Sequence, residues 1–205
     1  MSDQKPTPNT PPDVEFVAQA SLPTRYGEFT IHGFRERSTG KEHTVVVRGD
    51  VSATERCPVR VHSECHTGDV LGSLRCDCRD QLEASLRHIA AEPFGAVIYL
   101  RQEGRGIGLL NKIRAYAMQD LGFDTVEANT YLGLPEDARD YAVAAEIVRS
   151  LGIRSILLMT NNPDKIEKLR AAGIPVVGRI PLVVAPNAHS RRYLKTKRKR
   201  MRHML

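Results

Sequence analysis

The sequence predicts an α/β protein built on a mixed β-sheet flanked by helices. Three observations point there. Segments near the start carry the turn-bounded, β-branched pattern of strands; two later segments, "GAVIYL" and "SILLMT", are short and wholly apolar; and a helical stretch follows each of those two. A continuous apolar run of that length is what a strand covered on both faces looks like. Strands first, then strands alternating with helices, is the α/β pattern around a mixed sheet.

Taken in order, residues 1–13, "MSDQKPTPNTPPD", form a Pro-rich tail with too little apolar surface to order itself. "VEFVAQASLPTRYGEFTIHGFRE" reads as two strands around a Pro/Gly turn, "HTVVVRGD" as a third and "PVRVHSE" as a fourth. From Asp77 to Glu92 the apolar positions Leu82, Leu86, Ile89 and Ala90 recur with helical spacing. After the strand "GAVIYL" come the loop "RQEGRGIG" and a helix over about Leu109 to Leu121. A turn-rich piece around "LGLPEDARD" opens a helix reaching about Leu151. "SILLMT" is a buried strand, "NPDKIEKLRAAG" a helix ended by Gly173, and "IPVVGRI" the last strand.

The chain of 205 residues is expected to be one domain with appendages, and at that size folding removes roughly 70% of the unfolded surface from water. The start lacks the apolar core of a signal peptide, and no run approaches the ~20 apolar residues of a membrane span. A cytoplasmic protein with reduced thiols is the expectation. The net charge of +6 resolves into a tail: eight of the 30 Lys and Arg lie in the final "RRYLKTKRKRMRHML", leaving 22 bases against 24 acids in the body. A nucleic-acid surface would spread its charge over folded elements and add aromatics, so nucleic acid is not the favoured partner.

Chemistry concentrates in "RVHSECHTGDVLGSLRCDC", which holds three of the four cysteines. Reducing surroundings disfavour a disulfide. Thiolates favour zinc, and a closed structural site takes four ligands, whereas three ligands with an open position make a catalytic site. Cys65, Cys76 and Cys78 supply three; His62 and His66 are the candidates for a fourth, although His66 adjoins Cys65. The hydrolytic site is the better reading of the spacing. Glycines 104, 106 and 108 with Arg105 form a loop able to close around an anion, a pattern that a tight strand-to-helix turn explains equally well. "LLMTNNPDK" offers a second helix start attractive to phosphate, with Thr160 to Asn162 as caps and Lys165 in the first turn. Asp137 and Arg139, in "PEDARD", are expected at another helix start, where an acid is ordinarily a dipole partner.

The segments "RVHSEC", "TGDVLGSLRCDC", "RQEGRGIGLLNKIRAYAMQD", "DTVEAN" and "LLMTNNPDK" resemble GTP cyclohydrolase II, over nearly the whole chain from about residue 15. The resemblance implies a GTP cyclohydrolase II-like fold with a single catalytic domain over 14–190 and a basic segment over 191–205. It further implies a cytoplasmic homodimer that converts GTP to 2,5-diamino-6-(5-phosphoribosylamino)pyrimidin-4-one, formate and pyrophosphate, the opening step of riboflavin biosynthesis. A paralogue releasing the formylated pyrimidine, or a nucleotide-binding protein without turnover, is the alternative. Implied cofactors are Zn2+ on Cys65, Cys76 and Cys78 and Mg2+ on the nucleotide phosphates. Implied GTP contacts are Arg60, Val61, His62, Ser63, Glu64, Gln81, Glu103, Gly104, Arg105, Thr125, Thr160 and Lys165. Asp137 matches the family's proton acceptor and Arg139 its nucleophile toward the α-phosphate, while Tyr116 matches a pocket tyrosine. A guanidinium with pKa above ~12 is a poor nucleophile, so its chemistry favours Arg139 as a phosphate clamp. The departures from the family pattern, His66, Ser190 and Arg202 chief among them, fall on none of these positions.

Overall fold

A computed structural model describes residues 13–182, apart from 136, together with residue 184. The tails over 1–12 and 191–205, with Ser190 and Arg202, lie outside the described residues. Seven strands form one sheet: β1 (Val14–Thr24), β2 (Gly27–Glu36), β3 (Glu42–Arg48), β4 (Cys57–Ser63), β5 (Gly95–Leu100), β6 (Ile156–Met159) and β7 (Val176–Ile180). Their spatial order is β1-β2-β3-β5-β4-β6-β7. The first three strands and β5 pair antiparallel, whereas β4 is parallel to both β5 and β6, and β6 is parallel to β7. The sheet is therefore mixed, as the sequence predicts.

The β1–β2 turn closes on Thr24, whose hydroxyl accepts from Tyr26 N–H at 3.0 Å and donates to the Gly27 carbonyl at 2.9 Å. Gly27 takes φ +144°, which a side chain would resist. Parallel neighbours need crossover connections, and helices supply them. α1 (Cys78–Ala91) joins β4 to β5, and α5 (Pro163–Ala171) joins β6 to β7. Between β5 and β6 run α2 (Leu109–Asp120), α3 (Thr125–Tyr131) and α4 (Ala142–Ser150).

The helices cover both faces. On one face, α4 and α5 bury Ile147, Val148 and Leu169 against Val45, Val59, Val61, Ile98 and Leu158. On the other, α1 sets Ile89 against Val97 and Met159. Strand β5 serves both, since alternate side chains point to opposite faces: Ala96, Ile98 and Leu100 go one way and Val97 the other. That double coverage is why "GAVIYL" carries no polar alternation.

Two expectations need correction. α3 was not anticipated; its seven residues are too few to show apolar periodicity, and what defines it is a capping box in which Asp124 accepts from Val126 and Glu127 N–H while Glu127 reaches back to Asp124 N–H. Asp137 and Arg139 are not at a helix start either. α4 begins at Ala142, whose N–H is taken by Asp140 Oδ1, and residues 137–139 form a loop ahead of it.

Candidate active site

Strand β4 ends at the cleft. Cys65 follows one residue beyond it, a single turn spans His66–Val70, and Cys76 and Cys78 arrive at the start of α1. The three sulfurs lie within 4.8 Å of one another, with Cys65 Sγ and Cys76 Sγ 3.6 Å apart. Gly68 makes the approach possible: a Cβ there would stand 2.9 Å from Cys76 Sγ and 3.1 Å from Cys65 Sγ. Three converging soft donors in a cradle with no room for an extra methyl fit a thiophilic ion such as zinc. Among the described residues no histidine joins this cluster, so the fourth-ligand candidates His62 and His66 are not brought into it.

The thiols share charge. Hydrogen bonds from Cys76 and Cys78, aided by Lys112, push Cys65 well below the usual thiol range. The bond to Cys65, with burial, pushes Cys76 up to about 11, and bonds to Cys65 and Cys76, with burial, push Cys78 well above the usual thiol range. Lys112 Nζ donates to the Cys65 sulfur at 3.1 Å.

Asp69, on the His66–Val70 turn, anchors this end of β4. Its carboxylate accepts from Cys65 N–H at 2.9 Å, Tyr99 O–H at 2.8 Å and His62 Nε2 at 3.0 Å. His62 is buried, stacks on Tyr99 with centroids 5.3 Å apart, and is kept neutral because burial lowers its pKa against the pull of Asp69. With Nε2–H given to Asp69, Nδ1 is an acceptor, and it is buried without a partner. Arg60 Nε and Ser63 Oγ are also buried without partners. Buried polar atoms are ordinarily bonded, so three such atoms along one strand beside a cleft mark a place for a ligand or for water. Arg60 is otherwise held firmly, donating to the Met159 carbonyl at 2.9 Å and to Gln81 Oε1 at 2.7 Å. Burial lowers its pKa to about 10, which leaves it charged at neutral pH.

The Gly-rich loop forms the next wall. Gly104 and Arg105 both adopt left-handed backbone, with φ of 62° and 61°. In a residue with a side chain that conformation costs about 1–3 kcal/mol, a strain that clusters at functional sites. Glu103 fastens the loop, accepting from His66 N–H at 2.5 Å, Gly104 N–H at 2.6 Å and Lys112 Nζ at 2.8 Å. Beyond it, the Arg105 carbonyl accepts from Ala138 N–H at 3.0 Å, which brings the loop carrying Asp137 and Arg139 alongside.

Arg139 lines the cleft and Asp137 does not. Asp137 grips the guanidinium through both oxygens, at 2.9 Å to Nε and 2.5 Å to Nη2. Burial opposes charge on Asp137, but Arg139 outweighs it and holds the carboxyl below its usual range.

At the far wall, Thr160 accepts from Asn162 N–H at 3.0 Å, and Asn162 caps α5 by accepting from Asp164 N–H at 3.0 Å. Lys165 is buried; it donates to the Val61 carbonyl at 2.7 Å and lies over the Tyr141 ring at 5.2 Å. Those contacts offset the unfavourable dipole that its position implies. Val61 itself serves through its carbonyl and not as a lining side chain. Thr125 opens α3, with its side chain outside the described residues.

The cleft thus brings together, on one lining surface, Arg60, His62, Ser63, Glu64, Gln81 and the three cysteines with Glu103, Gly104, Arg105, Arg139, Thr160 and Lys165. Tyr116 is also there, 3.3 Å from Thr67 Oγ1. Residue types alone do not single out Lys112, Asp69, Arg75 or Asn129. Lys112, Arg75 and Asn129 line the same cleft, and nothing in their sequence spacing marks them before the fold is known.

Comparison with known proteins agrees with the geometry. The family model for GTP cyclohydrolase II matches residues 15–181. A GTP cyclohydrolase-2 of Picrophilus torridus is 53% identical over 191 residues, covering 93% of this chain and 99% of the relative. One from Neisseria meningitidis is 54% identical over 94% of this chain and 97% of its own length. The riboflavin biosynthesis protein RibBA of Chlamydia muridarum is 53% identical over 94% of this chain and 46% of its own length. With its cysteine cradle, Gly-rich loop and helix starts gathered in one cleft, the chain belongs to the GTP cyclohydrolase II family.

Proposed function

We propose that this enzyme hydrolyses GTP, opening the imidazole ring of guanine to give 2,5-diamino-6-(5-phosphoribosylamino)pyrimidin-4-one, formate and pyrophosphate for riboflavin biosynthesis. The convergence of three thiols and several cations in a single cleft supports this most directly. Residues 14–190 act as the catalytic domain, in the cytoplasm. The exposed apolar side chains of Val70, Leu71, Leu74 and Leu110 support a homodimer.

Cys65, Cys76 and Cys78 would hold zinc, whose Lewis acidity makes water a nucleophile near neutral pH. The rest belongs to the chain. Arg60, Arg105 and Lys165 give the cleft the positive charge a triphosphate with magnesium needs. Neutral His62 presents Nδ1, and Arg60 presents Nε, as the acceptor and donor left for a bound ring or its ordered water. Glu64 is steadied by Arg101, with Arg101 Nε 3.1 Å from its Oε2. Asp137 is tied to Arg139 and ionised, so it orients that guanidinium toward phosphate; a carboxylate already engaged by three N–H groups is a weakened base.

Incubating the purified protein with GTP and magnesium should release formate and pyrophosphate in equal amounts, with the diaminopyrimidine seen in the ultraviolet. Pyrophosphate without formate would point to the formylated product. Neither, from zinc-replete protein, would overturn the proposal.

A further inference from the structure

Lys112 stands where the two halves of the cleft meet. From the first turn of α2 its ammonium donates to Cys65 Sγ at 3.1 Å and to Glu103 Oε1 at 2.8 Å. Both members of the ion pair are largely buried, at 12% and 9% side-chain exposure, so the contact is neither water-screened nor adventitious. Glu103 is itself pinned by His66 N–H, the amide next to Cys65, and by Gly104 N–H. The aliphatic stem is confined too, since a Cβ on Gly104 would lie 3.3 Å from Lys112 Cβ.

We propose that Lys112 is a positioning residue for the metal centre, holding the Cys65 sulfur in its ligating place and balancing the charge of the cysteine cluster. The inference rests on the zinc reading given above. Three thiolates around a divalent cation leave one net negative charge in a partly buried site, and an unpaired buried charge is costly. Lys112 reaches a cluster sulfur directly. An N–H donated to a ligating sulfur also fixes the direction of its remaining lone pairs, as outer partners of metal ligands do. Glu103 keeps the ammonium from swinging into solvent, so its carboxylate serves the metal centre as well as the loop.

The test is zinc affinity, measured without nucleotide by competition with a chromophoric chelator. Lys112→Met and Lys112→Gln should each bind zinc about 10–100-fold more weakly than the unaltered protein, the usual cost of losing an outer partner. Lys112→Arg, which keeps a buried cation with donors, should recover most of that loss. Glu103→Gln should show a smaller loss of the same sign. Wild-type zinc affinity in either neutral variant, with its circular dichroism unchanged, would overturn the proposal. Failure of the unaltered protein to bind zinc would instead remove the metal reading on which it rests.

Discussion

At Arg139 the guanidinium is held by Asp137 through two oxygens and is turned to the cleft, while Asp137 stays outside it. The carboxylate fixes the aim of the guanidinium and offsets part of its charge. Replacing Arg139 by Lys keeps the charge but loses the planar two-point geometry. Turnover of GTP should fall about 10²-fold, the typical effect of removing an electrostatic stabiliser; near-normal turnover would show that charge alone suffices. Asp137→Asn should lower turnover while leaving the acid limb of the pH–rate profile above pH ~5 in place. Arg139 holds that carboxyl below the ordinary Asp value of ~3.9, so it is ionised across that limb. At this scale the sequence speaks clearly through residue type: three thiols in a cysteine-poor chain announce themselves. Lys112 and Asp69 do not, because an ordinary Lys on a helix and an ordinary Asp in a turn become special only through a partner remote in sequence. The expected role of Lys165 in meeting an anion is joined by one that the sequence hides, a bond to the Val61 carbonyl across the sheet.

Among elements, the turns carry the site and the strands hold the turns in place. Two glycines test this. Gly68→Ala puts a methyl 2.9 Å from Cys76 Sγ and 3.1 Å from Cys65 Sγ, so the sulfurs must separate. Zinc content should drop far below one per chain in a protein that keeps its far-ultraviolet circular dichroism. Gly106→Ala meets the Ala138 carbonyl at 3.0 Å and also needs φ near +90°, so the loop and its neighbour must part. A shift worth about 1–3 kcal/mol predicts a rise in KM for GTP of roughly 10-fold or more. Strands β4 to β7 and helices α1, α2 and α5 were readable from apolar runs and turn residues. α3 was not, since a seven-residue helix packed beside a loop displays its caps and little else. The loop over 137–139 resembles a helix start in the sequence because acidic residues ahead of an apolar stretch look alike whether they lie in the first turn or just before it.

For the molecule as a whole, buried histidines contribute to the pH dependence of stability. His43 is 1% exposed on β3, accepts from Arg101 N–H through Nδ1 at 3.1 Å, and approaches Glu36 through Nε2 at 3.4 Å. Burial lowers its pKa, with Lys41 and Arg101 assisting and Glu36 opposing, and His62 is lowered by burial as well. Folded pKa values below the ordinary ~6.5 mean that the unfolded chain takes up protons first. Their contribution to stability is therefore complete above pH ~6.5 and is lost as pH falls from there toward the folded values. Denaturant midpoints should decline between pH 7.5 and 5.5, and His43→Gln should flatten that decline; equal slopes would exclude His43 as a source. The overall architecture was the part most open to sequence reasoning, because double-sided burial leaves a plain apolar signature. The cleft was not, since it exists only where β4, α1, α2 and α5 meet.

The central claim is three cysteine sulfurs on one ion with a place left for water. X-ray absorption at the zinc edge of the purified enzyme measures it directly. Three sulfur neighbours near ~2.3 Å and one oxygen or nitrogen scatterer near ~2.0 Å that shifts when GTP is added are predicted. Four sulfur neighbours, or an unchanged spectrum after Cys76→Ser, would contradict it.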